Sequence, residues 1–208
     1  ECNFCAIAIH QGRTVMSRSQ SSIVEEVGEI TKLPKFKGNI SDVGGPTANM
    51  YALECKKKLK LGSCPDRRCL YPKKCPSLRV NHREQIDLLR KLKKLPKIKK
   101  IFIASGIRYD MILEDTQCGQ MYLKELVQDH ISGQMKIAPE HTEDSILSLM
   151  GKDGRSCLNE FKNQFYALNQ KLGKKQFLTY YLIAAHPGCR EKEMIDLKKF
   201  ASRELRVN

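Results

Sequence analysis

The sequence predicts an α/β fold built on parallel strands, and three observations lead to this prediction. Short apolar segments typical of buried strands alternate with longer segments whose apolar residues recur at helical spacing. Such alternation is typical of parallel strands joined by right-handed helical crossovers, as in an α/β barrel or a doubly wound sheet. Motifs rich in polar residues, glycine and proline follow the strands directly. The predicted strands are too few for a closed barrel.

The first predicted helix and strand lie before residue 44. Ser22 and Glu25 have capping-box spacing, and the apolar residues that follow share one helical face until Pro34 ends the run. The segment GNISDV at 38–43 is short, apolar in its centre and followed by glycines. This pattern predicts a buried strand that leads into a tight loop.

A segment rich in cysteine and lysine then interrupts the alternation. It covers about residues 52–80, and we expect it to be an insertion in a single domain that spans residues 1–208. After the insertion, Asn81 and Glu84 have the spacing of an N-cap and an N3 residue, and Pro96 ends the helix that they begin.

The second half of the chain continues the alternation. Its predicted elements are, in order, a strand centred on Ile101 to Ala104, a helix at 121–128, a strand at 133–138, a helix from Thr142 to Met150, a helix from Leu158 to Leu172, a strand at 175–185 and a helix from Met194 to Leu205. Gly173 is placed to end the longest of these helices, since glycine adopts the left-handed conformation that often closes a helix.

Four polar loops follow the predicted strands. They are DVGGPT at 42–47, SGIRYD at 105–110, PEH at 139–141 and HPG at 186–188. Because the carboxyl ends of parallel strands meet at one edge of a sheet, we expect these loops to converge on one cleft. Cys2 and Cys5 precede the first helix, and we expect them to lie in a loop at the same cleft.

Charge and cysteine content limit the function classes. The chain lacks an apolar run of about 18 or more residues and begins without a secretory pattern, so we expect a cytoplasmic protein that does not span a membrane. Nine cysteines, an odd and clustered set, favour metal or cluster ligation over disulfides. The net charge of +14 comes largely from lysine runs such as 56–58 and 91–100. Nucleic acid is therefore a possible partner but not the favoured one, because lysines more often form a solvated surface.

The C-x-x-C pair Cys2 and Cys5 has three interpretations when considered alone. It could be a redox pair, half of a zinc site or part of an iron-sulfur binding loop. The residue between them that immediately precedes Cys5 is aromatic, Phe4.

At this point the sequence resembles the radical S-adenosylmethionine (SAM) enzymes, whose cluster loop has the pattern C-x3-C-x-aromatic-C. Residues 2–5 match its last four positions, and the first cysteine would lie four residues before Cys2, outside the chain. The resemblance is closer to the YgiQ-type radical SAM proteins. The motifs that carry it are CAIAIHQGR at 5–13, SRSQSSI at 17–23, FKGNISDVGGPTANMY at 36–51, CLYPKKCPSL at 69–78, IFIASGIRYD at 101–110, ISGQMKIAPEH at 131–141 and AAHPG at 184–188.

The resemblance implies a fold, two cofactors and a reaction type. The fold would be a partial TIM-type barrel, truncated here at both ends, and the cofactors would be a 4Fe-4S cluster on Cys2, Cys5 and the upstream cysteine, and SAM. Reductive cleavage of SAM would give a 5′-deoxyadenosyl radical that abstracts hydrogen from a substrate. The electron would come from a donor such as a flavodoxin or ferredoxin, and the resemblance does not identify the substrate.

The resemblance also implies which residues bind SAM. They are Phe4, Gly44, Gly45, Pro46, Thr47, Ser105, Arg108 and Glu140. Phe4 would lie near the adenine, and the glycine-rich segment would let backbone groups approach the amino end of SAM. Ser105, Arg108 and Glu140 would bind the carboxylate and the ribose hydroxyls.

Several of these assignments have a structural alternative. The glycine-rich segment could be a simple turn after a strand, and Arg108 could form a surface ion pair. Glu140 and His141 could cap the helix predicted to begin near Thr142.

The remaining cysteines form a second group and three scattered residues. Cys55, Cys64, Cys69 and Cys75 match no common zinc ribbon spacing, so they could hold an auxiliary 4Fe-4S cluster, a zinc ion or no metal. We expect Cys118, Cys157 and Cys189 to be packing residues.

Two functions of other classes compete with a radical SAM enzyme. A basic nucleic-acid-binding module would use its cysteines to hold zinc, and its affinity would fall steeply as salt rises. A thiol-disulfide oxidoreductase would use Cys2 and Cys5 without iron and would need a thiol of low pKa.

Overall fold

The computed structural model describes residues 2–53 and 55–205, which form a mixed α/β structure with short parallel strands. The helices and strands are α1 (Ile7–His10), α2 (Gln20–Ile30), β1 (Asn39–Ile40), α3 (Lys56–Leu61), α4 (Arg83–Lys93), β2 (Lys100–Ile101), α5 (Tyr109–Glu114), α6 (Gly119–Glu125), β3 (Gln134–Glu140), α7 (Asp144–Met150), α8 (Arg155–Lys171), β4 (Phe177–Leu182) and α9 (Glu191–Arg203). A π-helical turn, Leu126–His130, extends α6.

The strands pair in parallel, as the alternation predicts. β1 pairs with β2, so that Asn39 lies opposite Lys100, and β3 pairs with β4, so that Gln134 lies opposite Phe177. A parallel bridge between Ile107 and Ile137 joins the segment after β2 to β3. The described strands do not close into a barrel.

The core lies between these strands and the helices that cover them. Its fully buried side chains come mainly from α4, α6, the π-helical turn and α8, and include Ile86, Leu89, Tyr122, Phe161 and Phe165. Apolar residues at helical spacing produce this burial, since each of these helices places one face against the strands. A smaller cluster, Ile146, Leu147 and Met150, lies on the buried face of α7.

The predicted caps are partly wrong. Helix α2 begins at Gln20, because Ser19 rather than Ser22 is its N-cap and accepts a hydrogen bond from the Ser22 amide at 3.2 Å. The N-cap of α4 is His82, one residue after the predicted Asn81, although the Asn81 side chain still accepts from the Arg83 amide at 2.8 Å.

Other predicted boundaries also shift. Helix α6 begins before the predicted 121–128 segment, and α7 begins at Asp144 rather than near Thr142. Strand β3 extends through Glu140, so the PEH motif begins inside the strand. The short helices α1, α3 and α5 were not predicted, because none is long enough to show a helical period.

The insertion is irregular apart from α3, and both of its ends are fixed to the rest of the chain. At its start, the Tyr51 hydroxyl donates to the Arg18 carbonyl at 2.9 Å, and the Ala52 amide donates to the Ser17 hydroxyl at 2.9 Å. At its exit, the His82 amide donates to the Asp115 carboxylate at 2.7 Å.

Among the described residues, no helix has the length and apolar character needed to cross a membrane.

Candidate functional site

The loop that contains Cys2 and Cys5 is a tight turn docked on the end of α7. The Cys5 amide donates to the Cys2 carbonyl at 3.1 Å, and the Asn3 amide donates to the Met150 carbonyl at 2.9 Å. The Asn3 side-chain amide donates to the Leu149 carbonyl. The end of α7 therefore fixes the turn through its last carbonyls, which have no partner inside a helix.

Two cationic side chains lie near the Cys2 thiol. Nη1 of Arg108 is 3.9 Å from Sγ of Cys2, and Nζ of Lys152 donates to the Ala138 carbonyl in β3. Burial lowers the pKa of Lys152, and the nearby thiol group of Cys2 opposes that change.

Arg108 is held by a bidentate contact to Asp110. Its Nε lies 3.1 Å from both carboxylate oxygens, and its Nη2 also contacts the carboxylate. Burial disfavours both charges, but each compensates the other, so the pKa of Arg108 is raised and that of Asp110 is lowered. Asp153 lies beside this pair, where burial and then the Asp110 charge raise the pKa of Asp153. The structural alternative for Arg108, a surface ion pair, is wrong in one respect, because this pair is largely buried, with 16% and 11% of the side chains exposed.

Glu140 ends β3 with a left-handed backbone, φ +69°, which is uncommon for a residue other than glycine. Its carbonyl accepts from the Ile183 amide at 2.7 Å, so the residue is fixed against the end of β4. Burial raises the pKa of Glu140, and Lys152 partly offsets this effect. A left-handed backbone at a residue other than glycine is strained, and such strain is often found at functional sites. Glu140 is therefore a candidate functional residue.

The loops after β1 and β2 are joined through Asp42 and Ser105. The Asp42 carboxylate accepts from the Ala104 amide at 2.9 Å, from the Ser105 amide at 3.3 Å and from the Ser105 hydroxyl. A Cβ on Gly44 would lie 2.8 Å from the Ser105 hydroxyl oxygen, whereas a Cβ on Gly45 would meet no atom within 4 Å. Gly44 is therefore required by packing, and Gly45 faces open space.

A second contact joins the loops after β1 and β2, a few residues further along each loop. The Ala48 amide donates to the Gly106 carbonyl at 2.9 Å, directly after the half-buried Thr47 and the exposed Pro46. Asn49 is buried beside this contact and binds the backbone of Arg108. The Ser105 hydroxyl donates its proton to Asp42, so it could still accept a hydrogen bond from a ligand, but it could donate one only by giving up the Asp42 contact.

A buried polar chain supports Asn49 from behind. Nδ2 of Asn49 donates to Nε2 of His82 at 3.2 Å, and Nδ1 of His82 lies 2.8 Å from the Asp115 carboxylate. Burial lowers the pKa of His82, although Asp115 opposes this, so the ring is neutral with its proton on Nδ1. The His82 ring also stacks on Tyr122, with ring centroids 4.5 Å apart.

Phe4 packs against the cluster on α7, together with Ile183 and Cys189. Its ring meets that of His186 edge to face, with centroids 6.2 Å apart. The HPG loop thus approaches the cysteine turn. His141 lies on the same side and accepts from the Glu143 amide, the N-cap of α7, at 3.1 Å. This contact fixes the chain at the residue where α7 begins, but it does not satisfy an amide of the first turn of α7.

The insertion brings its four cysteines to one cavity. Cys55, Cys64, Cys69 and Cys75 all line a space of about 50 Å³. The Cys75 amide donates to the Cys69 carbonyl at 2.8 Å. A backbone hydrogen bond from Ser77 lowers the pKa of Cys75, while burial acts in the opposite direction.

Two arginines connect the insertion to segments that neighbour the cysteine turn. Arg13, which follows α1, donates to the carbonyls of Cys64 at 2.9 Å and Arg67 at 3.0 Å. The Arg68 side chain reaches Gly151, where an added Cβ would lie 2.7 Å from Nη1. A second, polar cavity of about 240 Å³ lies between the insertion and α5, and Asp110 and Asp153 line it.

The structure thus brings the cysteine turn close to Arg108 and to the Glu140 strand end, and it joins the loops that carry Gly44 and Ser105. Sequence reasoning missed Lys152, Asp42 and Asn49. Lys152 follows α7 in a polar Gly-Lys-Asp-Gly turn that is typical of a solvated surface, so no pattern signalled its contact with β3.

The lysine run at 91–100 makes contacts within the chain. Lys91 donates to the Gln20 side chain at 2.6 Å, Lys93 pairs with Asp129 at 2.7 Å, and Lys97 donates to the Thr31 carbonyl at 3.3 Å. These contacts agree with a structural role for part of the run.

No protein-family model matches the chain. Among curated proteins, a UPF0313 protein of Fusobacterium nucleatum is 81% identical over 208 residues, which is 100% of this chain and 37% of that protein. UPF0313 proteins of Clostridium perfringens and Clostridium botulinum are 50% and 46% identical over 199 residues, which cover 96% of this chain and 30 to 31% of those proteins. The chain spans about a third of the length of these relatives. Over nearly all of its length, the chain is therefore similar to one segment of proteins named UPF0313 proteins.

Proposed function

We propose that the chain is the core segment of a radical SAM enzyme of the YgiQ type, built on a partial TIM-type barrel, that binds a 4Fe-4S cluster and SAM. The observation that carries this proposal is the position of the Cys2 thiol, 3.9 Å from the Arg108 guanidinium at the edge where β3 ends. A cysteine turn beside partly buried cations suits both a metal-bound thiolate and an anionic group of a cofactor.

The residues present fit the part of the cluster site that the chain contains. Cys2 and Cys5 lie in one tight turn, and we expect a third ligand upstream of the chain. When bound, a reduced 4Fe-4S cluster supplies the electron that cleaves SAM to methionine and a 5′-deoxyadenosyl radical, which takes a hydrogen atom from the substrate.

The remaining side chains would bind and orient SAM. Arg108 and Lys152 present positive charge to its carboxylate, and the bidentate contact to Asp110 fixes the direction of Arg108. Glu140, fixed between β3 and β4, accepts from the ribose hydroxyls. Gly45 leaves open space for the amino end of SAM.

Phe4 and its apolar neighbours would exclude water from the adenine side. The ring packs on Ile146, Leu147 and Met150 and leaves an edge toward His186. Exclusion of water matters because a reactive radical is otherwise lost to side reactions.

The test uses the full-length protein that carries this chain, purified without oxygen. Loaded with iron and sulfide and supplied with SAM and a reductant such as reduced flavodoxin, it should form 5′-deoxyadenosine, measured by mass spectrometry. The double variant Cys2→Ser/Cys5→Ser should form none, whereas Cys157→Ser, which removes a thiol away from the turn, should retain the activity. A protein with an intact, loaded cluster that leaves SAM uncleaved would overturn the proposal.

The same preparation separates the two competing functions. Zinc in place of iron, with nucleic-acid affinity that falls steeply as salt rises, would favour the nucleic-acid-binding module. Thiol-disulfide exchange by iron-free protein, lost in the Cys2→Ser/Cys5→Ser variant, would favour the oxidoreductase.

A further inference from the structure

The insertion has almost no apolar core of its own. Between Cys55 and Leu78, only Lys58 and Leu78 are buried, and Leu59 and Leu61 are exposed. Apart from α3, the segment contains no regular helix or strand. A segment of this size without a core needs another source of stability, and small protein units usually obtain it from disulfides or a bound metal.

In the described part of the chain, disulfides do not provide this stability. All nine cysteines are free thiols there, including Cys55, Cys64, Cys69 and Cys75. These four nevertheless surround one cavity, although up to eight residues separate neighbours in the sequence. Lys57, Lys58, Arg67 and Arg68 also line it. Such a cationic wall would offset the negative charge of four thiolates around a metal.

From these observations we infer that Cys55, Cys64, Cys69 and Cys75 bind an iron-sulfur cluster of the 4Fe-4S type. This site is separate from the turn that contains Cys2 and Cys5, and the inference does not depend on the function proposed for that turn. With four protein thiolates, every iron of the cluster has a protein ligand.

The cavity suits a cluster better than a single zinc ion. In a zinc site each sulfur lies about 2.3 Å from the ion, so the four sulfurs converge on one point. Among the described cysteine, histidine and acidic residues, no three side chains converge in this way. The four cysteines instead surround a space of about 50 Å³. One water molecule needs about 10 to 15 Å³ on this scale, so the space is larger than one ion fills.

The cluster would also stabilise the region next to the cysteine turn. Arg13 hydrogen-bonds the carbonyls of Cys64 and Arg67, and Arg68 reaches Gly151 at the end of α7. Metal binding would fix the backbone of the insertion around Cys64 and Cys69. It would thereby stabilise the contact of Arg13 with the insertion and the contact of Arg68 with the end of α7.

The test compares metal content in variants of the full-length protein purified and loaded without oxygen. Cys2→Ser/Cys5→Ser should retain about four iron atoms and four sulfides per chain, since that variant leaves the insertion intact. Cys69→Ser/Cys75→Ser should lose the same amount relative to the unchanged protein. The control Cys157→Ser should lose none, because Cys157 is partly buried against the main core.

Electron paramagnetic resonance adds a second readout. The reduced cluster that remains in Cys2→Ser/Cys5→Ser should give a signal that SAM does not alter, since no iron is open to SAM. The inference is overturned if this variant holds no iron, if Cys69→Ser/Cys75→Ser keeps its full metal content, or if the metal lost is about one zinc ion. Should Cys69→Ser/Cys75→Ser fail to fold, the metal content of Cys2→Ser/Cys5→Ser alone decides. Iron in the insertion together with no SAM cleavage would refute the proposed function and leave this site standing.

Discussion

The side-chain amide of Asn49 pairs with both backbone groups of Arg108. Its Oδ1 accepts from the Arg108 amide at 2.8 Å, and its Nδ2 donates to the Arg108 carbonyl at 2.9 Å. The contact joins the glycine-rich loop after β1 to the loop after β2. Arg108 is therefore fixed through its backbone as well as through Asp110, and Asn49 positions it without facing a ligand.

Replacement of Asn49 should destabilise the protein. Asn49→Ala removes both bonds and leaves backbone groups without partners in a buried place, so we expect the free energy of unfolding to fall by about 2 to 4 kcal/mol. Asn81→Ala is the comparison, since this half-buried side chain accepts from the Arg83 amide and donates to the Gln117 side chain at an exposed place, and its loss should cost about 1 kcal/mol. Urea denaturation measures both values. If the two variants lose the same free energy of unfolding, the contact between Asn49 and the Arg108 backbone contributes no more to stability than the Asn81 contact does.

Stability should depend on pH through His82. Burial lowers the pKa of His82 below its ordinary value of 6.5. At pH values between the lowered pKa and 6.5, the His82 side chain therefore binds a proton in the unfolded chain but not in the folded protein. The contribution of His82 to the free energy of unfolding is therefore fully present above about pH 6.5, and it decreases as the pH falls from there toward the lowered pKa. His130 and His141, whose pKa values are also lowered by burial, contribute in the same direction.

The variant His82→Asn should flatten part of this profile. Its side chain keeps polar atoms for Asn49 and Asp115 but does not titrate. Urea denaturation between pH 5 and pH 7.5 measures the slope for each protein. An unchanged slope in His82→Asn would assign the pH dependence to the other histidines.

Gly44 and Gly45 should respond differently to alanine. The methyl group of Gly44→Ala would lie 2.8 Å from the Ser105 oxygen and 2.9 Å from that of Asp42, so it must separate these partners. We expect a loss of about 1 to 3 kcal/mol for Gly44→Ala and less than about 0.5 kcal/mol for Gly45→Ala. Thermal unfolding measures both. If Gly45 faces SAM, Gly45→Ala should weaken SAM binding by about tenfold or more while the fold persists, and unchanged binding would remove Gly45 from the site.

Lys152 should contribute to SAM binding. Lys152→Met keeps much of the side-chain volume and removes the charge beside Cys2, so we expect SAM affinity to fall by about tenfold or more. Lys174→Met is the control, because Lys174 lies before β4, at the other end of that strand, and donates to the Gln128 carbonyl. Equilibrium dialysis with labelled SAM measures the affinities of the loaded proteins. An equal effect of both substitutions would indicate a general influence of charge.

The sequence predicted the long elements of the fold well, for physical reasons. The apolar stripe from Leu158 to Leu172 became α8, Arg155–Lys171, and Gly173 follows it with a left-handed backbone, φ +62°. Length makes such a helical period visible. Helix α5 covers only six residues, of which Tyr109 to Ile112 are all buried, so it is too short to show a helical alternation of buried and exposed residues.

The candidate site was only partly predictable, because much of it depends on tertiary contacts. The positions of the glycine-rich loop, Arg108 and Glu140 after strands could be predicted, since motifs that follow parallel strands lie at one edge of a sheet. Lys152 could not, because its place in the site depends on a tertiary contact between the turn after α7 and the Ala138 carbonyl in β3. Asn49 could not either, since its partners Arg108 and His82 lie 59 and 33 positions away in the sequence.

The insertion is held at both ends, by Tyr51 and Ala52 at its start and by His82 at its exit. This arrangement affects how the length of the insertion can change in evolution. With both ends fixed, residues added to an exposed part of the insertion, away from its four cysteines, only lengthen a surface loop, and doubling the length of a flexible loop costs only about 0.6 kcal/mol of closure entropy. Such additions should thus leave the Arg108 loop in place. A mutation of His82 itself would pass the disturbance inward through Asn49.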